Sequence, residues 1–86
     1  VIIRNNRCDD NNTWGIITGH SEDILIENNE TSRSRVEHGI YHGNSADRAV
    51  IRNNRVWGNR GNGIHVNSDA SNGGDGVISN ILVENN

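Results

Sequence analysis

The sequence predicts an all-β fold, a right-handed single-stranded parallel β-helix of about three and a half coils. Two repeated phrases carry this prediction. An apolar run followed by an Asn-Asn pair occurs four times, with the pair ending at Asn6, Asn29, Asn54 and Asn86. A Gly-Ile phrase lies between these copies at intervals of 24 residues, beginning at Gly15, Gly39 and Gly63. A fixed period of this length is typical of solenoids, in which each repeat forms one coil.

The apolar run of each repeat is predicted to form the first strand of a coil. It holds only three or four residues, as in Val1-Ile2-Ile3, and its β-branched side chains favour a strand over a helix. The Asn-Asn pair then turns the chain, because Asn tolerates the left-handed backbone conformation. The Gly-Ile phrase begins a further strand. One period therefore contains two or three short strands separated by turns.

Stacking of successive coils places equivalent residues on top of each other, about 4.8 Å apart. We expect two interior columns, one of Ile3, Ile26, Ile51 and Val83 and one of Ile16, Ile40 and Ile64. The second Asn of each pair is expected to form an inward ladder of amides. Opposite charges alternate at two other positions, which favours this register. These positions are predicted to form exposed columns, one of Arg4, Glu27, Arg52 and Glu84 and one of Arg7, Glu30 and Arg55.

Composition limits the functional classes. Of the 86 residues, 31% are hydrophobic, and the net charge of −3 argues against a nucleic-acid partner. The sequence contains no apolar run long enough to span a membrane. The lone Cys8 shares its repeat position with Thr31 and Val56, which predicts a buried thiol. Because both ends carry the same repeat phrase, we interpret residues 1–86 as one internal segment of a longer solenoid, with neighbouring coils as its partners.

The two phrases, I-x-N-N and G-I-x-x, resemble the parallel β-helix repeats of the pectin-lyase-like superfamily along the whole chain. Segments such as Glu37-His38-Gly39-Ile40-Tyr41 and Gly73-Gly74-Asp75-Gly76 are similar to those of uncharacterised bacterial secreted β-helix proteins. Known members of the superfamily are mostly carbohydrate-active lyases, hydrolases and epimerases. Others are adhesins, phage tailspikes and copper-system accessory proteins. The resemblance implies a secreted or cell-envelope location.

One insertion interrupts the repeat. The interval from Ile64 to Val83 is 19 residues, whereas Ile16 to Ile26 and Ile40 to Ile51 are 10 and 11 residues apart. The additional residues lie in 67–76. Insertions in a solenoid form loops on one face, which is often the binding face. The alternative is a tolerated surface excursion, because lengthening a loop costs little free energy.

Outward alternation along the Gly-Ile strands places Ile17, Tyr41 and His65 in one column beside this insertion. The candidate substrate-binding residues are therefore Tyr41, His65, Asn67 and Asp69. Tyr41 and His65 are also the candidate catalytic residues, since both side chains can exchange protons. The alternative interpretation is that they are ordinary exposed strand residues.

Metal ligands are sparse in the sequence. The four His residues are dispersed without ligand spacing, so no metal site and no cofactor is predicted. Asp69 and Asp75 could bind Ca²⁺ through carboxylate oxygens, although two carboxylates are few for such a site. Asp9 and Asp10 form an acidic pair without matching partners. The polygalacturonase motif requires an Arg-Ile-Lys run, and the chain contains no Lys.

Together these observations predict a carbohydrate-binding or polysaccharide-processing β-helix module, of lyase, hydrolase or epimerase type. An acidic polysaccharide or oligosaccharide is the expected ligand, and the reaction itself stays open. The alternative is a non-catalytic structural or adhesive solenoid of the cell surface. A cluster of acid, base and Arg on one face would distinguish the enzyme, whereas a structural module would show only ladders.

Overall fold

A computed structural model describes the backbone of residues 1–86 and every side chain except that of Asn72. The described chain forms short β-strands and a 3₁₀ turn over Ala70–Asn72. In chain order the strands are β1 (Ile2–Arg4), β2 (Arg7–Asp9), β3 (Ile16–Gly19), β4 (Leu25–Glu27), β5 (Glu30–Ser32), β6 (Ile40–Gly43), β7 (Val50–Arg52), β8 (Arg55–Trp57), β9 (Ile64–Asn67) and β10 (Leu82–Glu84).

The strands form three parallel sheets. The first sheet has the order β1-β4-β7-β10, the second β2-β5-β8 and the third β3-β6-β9. Each strand pairs with its equivalent in the next repeat, as Ile16 pairs with Ile40 and Ile40 with Ile64. This topology is that of a parallel β-helix solenoid, so the predicted all-β parallel β-helix class is confirmed.

Columns of β-branched side chains fill the interior. Ile3, Ile26 and Ile51 are aligned in the first sheet, and Ile26 and Ile51 are fully buried. Val83 continues the column but is 46% exposed, because it has a neighbouring coil on one side only. Cys8 packs against this core, and burial raises the pKa of its thiol. The sequence predicted a buried thiol, and Cys8 is half-buried against the core.

The Asn ladder lies at the corner between the first and second sheets. The Nδ2 group of Asn6 donates to Oδ1 of Asn29 at 3.0 Å, that of Asn29 to Asn54 at 3.1 Å, and that of Asn54 to Asn86 at 2.9 Å. Each of these Oδ1 atoms also accepts a hydrogen bond from the backbone N–H of the ladder Asn in the preceding coil. Asn29 and Asn54 are buried, so the ladder satisfies polar groups that water does not reach.

The charged columns form with the predicted register, but one member is not exposed. Glu27 is only 9% exposed, and the guanidinium groups of Arg4 and Arg52 lie 3.7 and 2.9 Å from its carboxylate. The expectation of an exposed Glu27 was wrong, because the arginines of the two adjacent coils cover it. Glu84 stacks in register on Arg52.

The insertion lies between β9 and β10. The connection spans residues 68–81, whereas the equivalent connections span 20–24 and 44–49. The insertion folds back on the previous coil, where the N–H of Gly76 donates to Oγ of Ser45 at 2.6 Å. Gly74 lies against the same side chain, since a Cβ at Gly74 would be 2.6 Å from Cβ of Ser45. The insertion is thus a packed loop at the carboxyl end of the third sheet.

Candidate functional site

Tyr41 and His65 lie side by side on the outer face of the third sheet. Parallel pairing of β6 with β9 puts them at the same position of adjacent coils. Their ring centroids are 5.3 Å apart and the rings are tilted by 53°. The structure therefore brings together the two residues that the sequence singled out for proton transfer.

Two rings at the bend before the Gly-Ile strands extend this pair. Trp14 lies 6.3 Å from the Tyr41 ring, and His38 lies 5.8 Å from it. His38 also stacks on His65, with a centroid distance of 4.4 Å and planes within 9°. We call these four side chains the aromatic cluster. Within the cluster His38 and His65 stack face to face, whereas Tyr41 meets both imidazoles at an angle.

Hydrogen bonds from Asn62 fix both imidazoles of the cluster. The backbone N–H of Asn62 donates to Nδ1 of His38 at 2.9 Å, and its side-chain amide lies 3.0 Å from Nδ1 of His65. Since an amide NH₂ group only donates, both Nδ1 atoms are acceptors and the neutral rings carry their hydrogen on Nε2. Nε2 of His38 lies 3.4 Å from the Glu37 carboxylate. The sequence did not indicate this role of Asn62.

Asn67 joins the cluster through the Tyr41 hydroxyl. Its Nδ2 group donates to that oxygen at 3.3 Å. The Tyr41 ring extends over Gly43, where a Cβ would lie 3.1 Å from the ring edge. Two of the four predicted binding residues, Asn67 and Tyr41, are therefore in contact.

Asp69, the fourth predicted binding residue, is the N-cap of the 3₁₀ turn. Its Oδ1 accepts hydrogen bonds from the hydroxyl and the backbone N–H of Ser71, at 2.6 and 2.9 Å. These bonds hold the pKa of Asp69 below its ordinary value. Asp75 similarly accepts the N–H of Val77 at 2.9 Å. The two carboxylates considered as possible Ca²⁺ ligands therefore both accept local backbone N–H groups.

Asp9 and Asp10 have partners that the sequence interpretation missed. Both partners are arginines on the turn of the next coil. Arg33 makes two hydrogen bonds to the Asp9 carboxylate, and Arg35 makes two to the Asp10 carboxylate. The guanidinium groups hold the pKa values of Asp9 and Asp10 below their ordinary range. The signal was present in the spacing, because each pair is 24 or 25 residues apart, which is one coil.

His42 points into the core, opposite to Tyr41. It is fully buried, and its Nδ1 lies 2.7 Å from the Thr18 hydroxyl. Its Nε2 has no hydrogen-bond partner among the described side chains. Burial lowers the pKa of this imidazole, so the neutral form is favoured. The buried imidazole of His42 therefore has a structural role in the core.

The described residues contain no group of three His, Cys, Asp or Glu side chains suited to hold a metal ion. His38 and His65 are adjacent, but the planes of their rings are parallel. Two imidazole ligands direct their in-plane nitrogens at one point about 2 Å away, and these two rings do not converge in that way. Cys8 faces the apolar interior.

Comparisons with known proteins identify the family. The sequence matches the family described as NosD, periplasmic copper-binding protein, over residues 1–86. No significant match occurs among curated proteins or among solved structures. None of the helical structure in the described chain is long and apolar enough to cross a membrane. Since the family match covers every residue, and the fold is a parallel β-helix, the chain belongs to the NosD family of periplasmic copper-binding proteins.

Proposed function

We propose that this chain is a non-catalytic β-helix segment of the cell envelope, where it acts as a rigid scaffold. The single observation that carries this proposal is the pairing of chemically active side chains from coil to coil. Glu27 lies between two arginines, Asp9 and Asp10 are bonded to arginines one coil away, and His38 stacks on His65. Such ladders specify register and stiffness. The periplasmic location is taken from the family description.

The name of the family raises the question of copper. Copper prefers His, Cys and Met ligands in a convergent set. The described residues do not fit this requirement, because Cys8 packs against the apolar core and the parallel imidazoles of His38 and His65 do not converge. Both Nδ1 atoms of that pair already accept hydrogen bonds from Asn62. The proposed role of this chain therefore contains no copper-binding step.

A turnover assay tests the scaffold proposal. The full chain is incubated with pectin, alginate and glycosaminoglycan oligosaccharides, and the products are measured. We expect no turnover by the wild type. Turnover that disappears in the Tyr41→Ala/His65→Ala variant would contradict the proposal. Ile17→Ala is the matched control, because it shortens a side chain in the same outward column without removing an ionisable group.

The second candidate function is binding or processing of a polysaccharide at the aromatic cluster. One observation favours it: the Tyr41 hydroxyl, the His65 ring and the Asn67 amide meet at one place on the third sheet. Sugar sites combine an aromatic surface with a few placed polar groups. Binding that Tyr41→Ala weakens and Ile17→Ala leaves unchanged would support this candidate. Equal binding by Tyr41→Ala and Ile17→Ala would exclude this candidate function.

A further inference from the structure

A polar groove runs along the corner between the first and second sheets, far along the coil from the aromatic cluster. Its volume is about 570 Å³. The outer walls are formed by the first Asn of three repeats and by one charged column. These residues are Asn5, Asn28, Asn53, Arg7, Glu30 and Arg55. Among the described residues, no apolar side chain lines this groove.

The two members of each Asn-Asn pair have different roles. The second member is bonded into the ladder, as for Asn29 and Asn54. The first member has a left-handed backbone, with φ of 60° at Asn5, 55° at Asn28 and 56° at Asn53. Its side chain is exposed and makes no hydrogen bond to the described part of the protein. Each free amide offers two donor hydrogens and one acceptor oxygen.

These free amides form a regular array. The flanking strands pair in register, so the three Asn side chains recur once per coil, at intervals of about 4.8 Å. That interval is close to the length of one pyranose ring. A polypeptide in extended form repeats its backbone groups at a shorter interval of about 3.4 Å. The array therefore suits a chain of sugars better than an extended peptide.

The charges of the groove also limit the ligand. Arg7 and Arg55 lie 3.6 and 3.5 Å from the same Glu30 carboxylate. Two guanidinium groups and one carboxylate leave one net positive charge. A polyphosphate such as a nucleic acid requires many more cations than this. A hydroxyl-rich ligand that is neutral or weakly acidic fits the groove.

We propose that this groove binds a linear glycan that lies along the axis of the solenoid. Hydroxyl groups of successive sugars bond to the amides of Asn5, Asn28 and Asn53. Arg7 and Arg55 flank the chain and accept an occasional carboxylate. This site is separate from the aromatic cluster, because none of its lining residues belongs to that cluster. It goes beyond the scaffold role, since the side-chain amides of Asn5, Asn28 and Asn53 take no part in the coil-to-coil ladder.

The test uses glycine, which keeps the backbone and removes the amide. Glycine adopts positive φ without strain, so Asn28→Gly/Asn53→Gly retains the corner and the inner ladder. The probes are a β-1,4-linked glucose hexamer, a galacturonate hexamer and a Ser-Gly hexapeptide, and binding is measured by NMR titration of the full chain. Asn80→Gly is the matched control, since Asn80 has φ of 55° and lies outside the groove.

We expect the wild type and Asn80→Gly to bind at least one glycan equally, and the double variant to bind at least about tenfold more weakly. Wild-type resonance shifts should be largest for the groove residues, which are the amides of Asn5, Asn28 and Asn53 and the flanking Arg7 and Arg55. This readout does not depend on the variants folding. Absence of glycan binding, equal binding by the double variant, binding of the peptide alone, or shifts confined to the aromatic cluster would each overturn the proposal.

Discussion

The Nδ2 group of Asn29 donates to Oδ1 of Asn54 across 3.1 Å of the buried corner, and the same oxygen accepts the backbone N–H of Asn29. Asn54 in turn donates to the carbonyl of Ile26 at 3.1 Å. One side chain thus satisfies polar groups of two coils. Because these groups are shielded from water, they depend on this amide alone.

The first prediction concerns this ladder. Asn54→Leu should lower the free energy of unfolding by about 1–3 kcal/mol, because it leaves buried partners of Asn54 without hydrogen bonds. Denaturant unfolding followed by circular dichroism measures the change. The control is Asn53→Gly, which alters the exposed neighbour and should change stability by less than about 0.5 kcal/mol. Equal effects of the two substitutions would show that the ladder contributes little.

The second prediction concerns pH. The pKa of His42 lies below its unfolded value of 6.5 because of burial, and the groups facing it are Thr18 on β3 and Val66 on β9. Above about pH 6.5 both states hold the neutral ring. As the pH falls below this value the unfolded state takes up a proton first, so the free energy of unfolding decreases until the folded-state pKa is passed.

His42→Val removes this proton uptake, and Val already occupies the equivalent position in the next coil. Unfolding midpoints measured between about pH 8 and pH 5 should fall less steeply in this variant than in the wild type. His20→Asn provides the matched control on a turn, because His20 has φ of 51° and Asn tolerates this backbone conformation. Parallel pH profiles for the wild type and His42→Val would contradict the prediction.

The third prediction concerns the covered carboxylate. Glu27→Gln should lower the free energy of unfolding by about 1 kcal/mol, since Arg4 and Arg52 then face each other without a compensating charge. The control is Glu30→Gln, because Glu30 lies between Arg7 and Arg55 in the other charged column and is more exposed. It should lower the free energy of unfolding by less. The difference should persist at high salt, because buried pairs are screened less. Equal losses in the two variants would disprove it.

The fourth prediction concerns solution behaviour. Strands β1 and β10 lie at opposite ends of the first sheet, each with one unpaired edge, and unpaired edges favour association with other chains. We expect the 86-residue chain to form concentration-dependent oligomers in light-scattering measurements. Leu82→Lys should reduce their size by placing a charge on β10 outside the interior column. A monodisperse wild-type monomer with a cooperative melt would show that the prediction fails.

The sequence was most informative where equivalent residues stack. The registers of Ile16, Ile40 and Ile64, and of the second Asn of each pair, followed directly from their spacing. Contacts made by turns were not foreseen, because turns do not alternate inward and outward as strands do. Arg33, which reaches Asp9, and Asn62, which bonds two imidazoles, both lie in such segments.

Burial of polar side chains was the other limit of the sequence reasoning. Alternation along β4 predicts that the Glu27 side chain points outward, and it does not reveal that guanidinium groups from both sides cover the carboxylate. The covering depends on the conformations of long arginine side chains, which have many rotamers. The stacking of His38 on His65 could not be inferred from spacing either, because His38 lies at the bend before β6 and His65 pairs with Tyr41 within the strands.

The Asn ladder gives the molecule a direction. The ladder amides of Asn6, Asn29 and Asn54 each donate toward the coil that follows. The Asn6 end therefore presents an oxygen, and the Asn86 end presents the NH₂ hydrogen that is not bonded to the Ile51 carbonyl. A two-fold symmetric pairing of identical ends would place acceptor against acceptor or donor against donor. Only a heterologous contact between unlike ends continues the hydrogen-bond chain, and such contacts lead to open filaments unless their rotation closes a ring. An isologous dimer therefore cannot continue the hydrogen-bond ladder of the corner amides. Head-to-tail stacking of chains can continue it, and such an assembly grows in one direction.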